Sequence, residues 1–294
     1  AACRFTWRAC ATGLMRITIS AAAVLLIEIA ASAQVDSPTL LPLGDSITYG
    51  CGSDALPGES EGCDPDSGGY RIGLLSSLAA VGGSWANVSS VGTVVMQGPR
   101  FAPPMWLRHA GTPGARIDQI DDARVPAGPG TPGWLSTKPD IITLHAGTND
   151  CYQNYQPAVL AQKMELLLNH TYAALPKTHV FLASILRMPT CQTCQANCAE
   201  RYNSMLPAIV ERFVARNFSI TYVPMAETTG LCVDVGADAA LCCAAQVHPN
   251  AAGYLRMASA FAISILTHYN ATAATASVVS IINSLGAHLA SVLT

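Results

Sequence analysis

The chain has 294 residues, half of them apolar, which is enough to bury one sizeable core and argues against a disordered or fibrous class. Its formal charge is -3, from 16 basic and 19 acidic residues, and no basic stripe carries interleaved aromatics, so a nucleic-acid partner is not expected. Charged residues make up only 12%, about half the average for soluble domains.

Taken in chain order, residues 15–27 run from Arg16 into an apolar stretch and reach Ala31-Ser32-Ala33, a small-x-small cleavage pattern. The reading is a signal peptide with an N-terminal extension over 1–33, one folded domain over 34–270 and a helix-prone tail over 271–294. Glu28 interrupts the apolar run short of the about 20 residues that a spanning helix needs, so no stable membrane insertion is expected. Sequons at Asn87, Asn169, Asn217 and Asn270 are compatible with a secreted glycoprotein.

Apolar, β-prone runs recur at 39–43, 87–91, 141–145, 180–185 and 220–223, separated by segments long enough for helices. That alternation predicts an α/β fold, a five-stranded parallel sheet with crossover helices. Ile72, Leu75, Leu78 and Ala79 share one helical face, as do Val159, Leu160, Met164, Leu167 and Leu168 in a helix opening near Pro157. Further helices are predicted around 202–216 and 254–266, and the Pro/Gly-rich stretches 98–113 and 125–133 read as loops.

The chain has 11 cysteines, of which Cys3 and Cys10 precede the signal. In an oxidising compartment most of the others should pair. Cys51 with Cys63 would close one Gly-rich loop, and Cys191, Cys194 and Cys198 are expected to pair outward to Cys232, Cys242 or Cys243, with one thiol left over. The spacing Cys191-x-x-Cys194-x-x-x-Cys198 invites a zinc reading, but it lacks a nearby histidine or second pair, so no metal is expected.

The chemistry-bearing residues lie at the ends of the predicted strands. The first strand runs into Gly44-Asp45-Ser46, putting a serine where open α/β sheets bind ligands. A serine hydroxyl is a poor nucleophile unless a base takes its proton, and Val247-His248-Pro249-Asn250 supplies a histidine on a loop late in the chain. Taken singly, Ser46 reads as a turn or cap residue and His248 as structural. Gly147-Thr148-Asn149-Asp150 follows the third strand; Asn149 reads either as part of a helix cap or as an amide donor to a developing oxyanion. His109-Ala110-Gly111-Thr112-Pro113-Gly114 ends in a glycine whose backbone N–H can face an anion.

The ordered set of GDS, a glycine block, GTND and VHPN resembles the SGNH (GDSL-like) hydrolases from Leu41 to about Met257. More narrowly, 41–48, Gly69-Tyr70-Arg71, Val91-Gly92-Thr93, the block from His109 to Gly114 with Arg116-Ile117-Asp118-Gln119-Ile120, and His248-Pro249-Asn250-x-x-Gly253-Tyr254 resemble carbohydrate esterase family 3. The resemblance implies a flavodoxin-like three-layer α/β/α sandwich, Ser46 as nucleophile, His248 as base, and no cofactor or metal. It also implies an oxyanion hole from the Ser46 N–H, the Gly114 N–H and the Asn149 amide, with Gly92 as second choice for the glycine and Asp45 and Asp150 in support. The sequence departs from the family at Ala245, where an aspartate usually stands three residues before the histidine. Losing the orienting carboxylate in a protease triad costs about 10⁴ in kcat. A backbone carbonyl near Ala245, a carboxylate from Asp234 or Asp238, or a feeble enzyme all remain open at this point. The expected function is a secreted, monomeric ester hydrolase removing acetyl groups from polysaccharide. The alternatives are a lipid or small-ester hydrolase, or a carbohydrate-binding relic. A groove lined by Trp106, Trp134 or tyrosines would favour sugar.

Overall fold

The computed structural model describes residues 37–52, 62–63, 68–96, 102–188, 194, 196–231 and 247–269. The expected leader, the tail over 271–294, Ala245, Asp234 and Asp238 lie outside them. Among the described residues no helix is long and apolar enough to cross a membrane.

The central sheet is built on β1 (Thr39–Gly44), which pairs in parallel with β5 (Ile141–His145); β6 (His179–Ala183) and β7 (Ile220–Val223) follow outward, also in parallel. On the other side of β1, two short segments share one strand position. β2 (Ser89–Ser90) pairs with Thr39 and Leu40, and β4 (Arg108–Gly111) pairs with Leu43 and Gly44. An antiparallel β3 (Val94–Val95) edges β4. The order β4-β1-β5-β6-β7 is the flavodoxin-like 2-1-3-4-5 arrangement. The stretch 98–113 is therefore not all loop. Its Pro-rich beginning hid a four-residue strand, too short for a periodicity signal, that pairing with β1 and β3 stabilises.

Side chains alternate across the sheet: Val180 and Leu182 join one core cluster, Phe181 and Ala183 the other. Both faces are covered, which is why these strands read as unbroken apolar runs. One face carries α3 (Ile117–Asp122), α5 (Pro157–Ala174), α6 (Cys198–Asn203) and α7 (Leu206–Val214). The other carries α2 (Gly69–Ala80) and α9 (Ala251–His268). The three layers of the expected sandwich are thus present. The helix predicted over 202–216 is two helices, broken at Ser204-Met205 ahead of Pro207, which occupies the first turn of α7 where its missing N–H is tolerated. The remaining short helices are α1 (Ser46–Tyr49), α4 (Thr148–Tyr152) and α8 (Met225–Thr229).

Two disulfides join described cysteines. Cys51–Cys63 closes the loop after α1 as the spacing predicts. Cys198, however, pairs with Cys151 on α4, not outward to Cys232, Cys242 or Cys243. Cys194 is disulfide-bonded as well. With Cys194 and Cys198 both oxidised, the zinc reading of the cysteine cluster loses two of its three thiolates.

Candidate active site

Strand β1 ends in Gly44, packed so tightly that a Cβ there would lie 2.2 Å from the His145 carbonyl and 2.4 Å from the Thr48 hydroxyl. Only glycine lets the chain turn this close to β5. Asp45 then caps α1, accepting from the Ile47 N–H at 3.0 Å. Ser46 is the first helical residue, and its N–H lies at the helix start, where no intrahelical acceptor is available.

This short turn is braced from three directions. The Arg71 guanidinium donates to the Tyr49 carbonyl at 2.9 Å, the Tyr254 hydroxyl to the Cys51 carbonyl at 2.7 Å, and the Thr48 and Tyr70 hydroxyls lie 3.1 Å apart. The ring of His109 on β4 stacks edge-on against Tyr49. Tyr70, Arg71, His109 and Tyr254, recognisable in the sequence only as motif letters, therefore work as a clamp on the serine turn.

His248 Nε2 lies 2.8 Å from Ser46 Oγ, joining residues 202 apart in sequence. Asn250 caps α9 by accepting from the Gly253 N–H at 3.1 Å, which fixes the loop bearing the histidine. Accepting a proton at Nε2 requires that the neutral ring carry its own proton on Nδ1. Asp45, next to Ser46 in the chain, is fully buried. Burial raises its carboxyl to about 6, opposed by the Ile47 N–H and by the nearby His248.

The remaining candidates meet at the neighbouring strand end. Thr112-Pro113-Gly114-Ala115 forms a tight turn closed by Ala115 N–H donating to the Thr112 carbonyl at 3.1 Å, with Gly114 at φ +78°. This is a type II turn, for which proline then glycine is the favoured pair. Gly114 is exposed, so its N–H is open to a ligand. Gly92, the second choice, is instead packed on β4: a Cβ there would meet the His109 backbone at 2.2 Å. Asn149 opens α4 just after β5 and donates one amide N–H to the Ala115 carbonyl at 3.0 Å, leaving the second for a ligand. Asp150 is buried and accepts from the Ile117 N–H at 2.9 Å and from Lys163 Nζ at 2.8 Å. Burial raises its carboxyl, against the pull of Lys163.

The structure thus brings Ser46 and His248 into contact and sets Gly114 and Asn149 in one bonded unit at the carboxyl ends of β4 and β5, on either side of β1. Trp134 is not a groove residue: it is buried in the core, its Nε1 donating to the Ile120 carbonyl at 2.9 Å. Trp106 is similarly engaged, donating to the Val88 carbonyl at 3.0 Å and packing on the core. Tyr152, one helical turn beyond Asn149, is a half-exposed aromatic at the end of α4. Lys163 was missed from the sequence. Its signal was a cation between Leu160 and Leu167, at the edge of the buried stripe of α5. Among the described residues no group of three metal-ligating side chains occurs.

The chain has the α/β/α fold of an ester hydrolase, with a serine hydroxyl against an imidazole at the switch point of its 2-1-3-4-5 sheet. The chain belongs to the GDSL-like lipase/acylhydrolase family, whose model matches residues 43–256. Among solved structures it is similar to an acetyl esterase, a serine-to-alanine mutant with acetate ion (18% identity, TM-score 0.59, covering 80% of this chain and 99% of that one). It is also similar to a family 3 carbohydrate esterase from Talaromyces cellulolyticus (19%, TM-score 0.59, 78% and 97%). A third is the family 3 carbohydrate esterase of Clostridium thermocellum (21%, TM-score 0.57, 80% and 98%). At these identities the likeness is one of fold. No curated protein matches the sequence.

Proposed function

We propose that the protein removes acetyl groups from a polysaccharide, with Ser46 as nucleophile and His248 as general base. The observation that carries this reading is the 2.8 Å contact between Ser46 Oγ and His248 Nε2. As Ser46 Oγ bonds to the acetyl carbon, its proton passes to His248 Nε2, and the carbonyl oxygen becomes an oxyanion. The Ser46 N–H, the Gly114 N–H and the second amide N–H of Asn149 receive that charge. His248 returns the proton to the departing sugar oxygen, leaving an acetyl-serine. Water then attacks this ester by the same route and regenerates Ser46. The acyl group on sugar is favoured by the fold likeness to carbohydrate esterases and by the half-exposed ring of Tyr152, an amphipathic surface suited to a sugar face.

Secretion is part of the same proposal. The Cys51–Cys63 and Cys151–Cys198 disulfides fit an oxidising compartment, and the sequons at Asn87 and Asn217 lie on exposed residues.

The test is hydrolysis of 4-nitrophenyl acetate, longer 4-nitrophenyl esters and acetylated xylan by the parent and by Ser46→Ala. Loss of all activity in the variant, with acetate release from xylan by the parent, is the expected result. Equal rates for the two proteins refute the serine mechanism. Preference for long acyl chains, with no acetate released from xylan, replaces the polysaccharide reading with that of a lipid or small-ester hydrolase.

A further inference from the structure

The helix α5 lies outside the serine turn, yet Lys163 on it closes a charged network that ends at the oxyanion donors. Lys163 Nζ donates to Asp150 Oδ1 at 2.8 Å and to Asp118 Oδ1 at 2.9 Å, beneath the ring of Tyr155, whose centroid is 3.9 Å away. The other oxygen of Asp150 holds the Ile117 N–H, while Asn149 holds the Ala115 carbonyl. Two successive residues of α4 therefore grip positions 115 and 117, directly after Gly114. Arg116, between those two, donates to Asp118 and, at 2.9 Å, to Gln153 just beyond α4. The turn that presents Gly114 is thereby tied to the helix that presents Asn149.

We propose that Lys163 is a positioning residue for ester hydrolysis, holding the Gly114 turn and the Asn149 amide in register through Asp150 and Asp118. This rests on the oxyanion role given above to Gly114 and Asn149. Asp150 is fully buried and Lys163 is its cationic partner. Without the ammonium, the fully buried carboxylate keeps only the Arg116 guanidinium, with which it makes no hydrogen bond, as a compensating charge, and burial favours its protonation. A neutral carboxylic acid is a weaker acceptor for the Ile117 N–H. The turn then loses the fixed end that sets where the Gly114 N–H points, and a misplacement of about 1 Å at a catalytic group can cost about 100-fold in rate.

The test is a double-mutant cycle on 4-nitrophenyl acetate with Lys163→Met, Asn149→Ala and the pair. Asn149→Ala is expected to lower kcat about 100-fold, the effect of removing one oxyanion donor. Lys163→Met should lower kcat at least about ten-fold with KM changed less than about two-fold, and Lys163→Arg should restore most of the loss. If Lys163 acts through the donors, the double variant falls no more than about three-fold below Asn149→Ala. Losses that multiply overturn the positioning role while leaving the oxyanion reading intact. A parental kcat in Asn149→Ala overturns the oxyanion reading itself, and the inference with it. Should Lys163→Met not fold, Asp118→Asn loosens the same ammonium from its more exposed side. A lower kcat at unchanged KM supports the proposal there, and parental kinetics overturn it.

Discussion

Replacing Asp45 by asparagine probes the electrostatics behind the serine turn by exchanging one group for a near-isostere. Asp45 is completely buried, and burial lifts its carboxyl from 3.8 to about 6 against the opposing pull of the Ile47 N–H and His248. At about 1.4 kcal/mol per unit, this shift corresponds to roughly 3 kcal/mol by which ionised Asp45 destabilises the folded chain. Between 3.8 and about 6 the folded protein keeps a proton that the unfolded chain has already released. Stability therefore declines as pH rises through that window, and the full deficit persists above it. Asparagine still offers an oxygen to the Ile47 N–H, caps a helix about as well as aspartate, and does not ionise. Whatever constant offset its amide introduces, the stability of the variant relative to the parent should rise by roughly 3 kcal/mol between about pH 4 and about pH 7. Urea denaturation at a series of pH values measures this directly. Parallel pH curves for the two proteins would refute the assignment of a buried, destabilising carboxylate. Activity should move the other way. Under the proposed mechanism His248 becomes positive as it takes the serine proton, and it loses the nearby negative charge in the variant, so kcat falls with KM little changed.

Three further predictions concern the surrounding structure. Removing the Cys151–Cys198 bridge as a double alanine variant frees a 47-residue separation, and the loop-entropy estimate is a loss of about 4 kcal/mol, readable by denaturant titration. Gly114→Ala adds a methyl with open space around it, but at φ +78°, so the cost is backbone strain of about 1 kcal/mol. That strain should appear as a lower kcat on 4-nitrophenyl acetate, with the folded state retained by circular dichroism. Burial holds His145 down to about 4 and, with neighbouring Arg71 and His268 respectively, His109 to about 2 and His179 to about 3. Each binds a proton in the unfolded chain below about 6.5 that the folded chain refuses, so stability is lost as pH falls below that value. The Tm should drop on acidification, against the smaller opposite contribution of Asp45, and drop less steeply in His145→Leu; an unchanged slope in that variant would rule out its part.

Ser46, Asn149 and His248 stood out as candidates because each stands in a short pattern whose local structure is nearly fixed by its own residues. Gly44 permits the turn, Asp45 caps the helix, Pro113-Gly114 dictates a type II turn, and Asn250 caps the helix behind the histidine loop. The apolar runs of β1, β5, β6 and β7 were equally readable, since a strand covered on both faces has little choice of composition. What only the tertiary structure decided depends on partners distant in sequence. The strand Arg108–Gly111 exists because it pairs with Leu43 and Gly44; in isolation four residues after a Pro-rich stretch carry no periodic signal. Cys198 reaches Cys151 because α6 packs beside α4, a proximity that spacing cannot encode. Trp134 became core because α3 offers its Ile120 carbonyl to the indole N–H. Lys163 shows the same limit most clearly. In sequence it is one cation at the edge of an apolar face, and its meaning comes from Asp150 and Asp118, brought to it by two other helices.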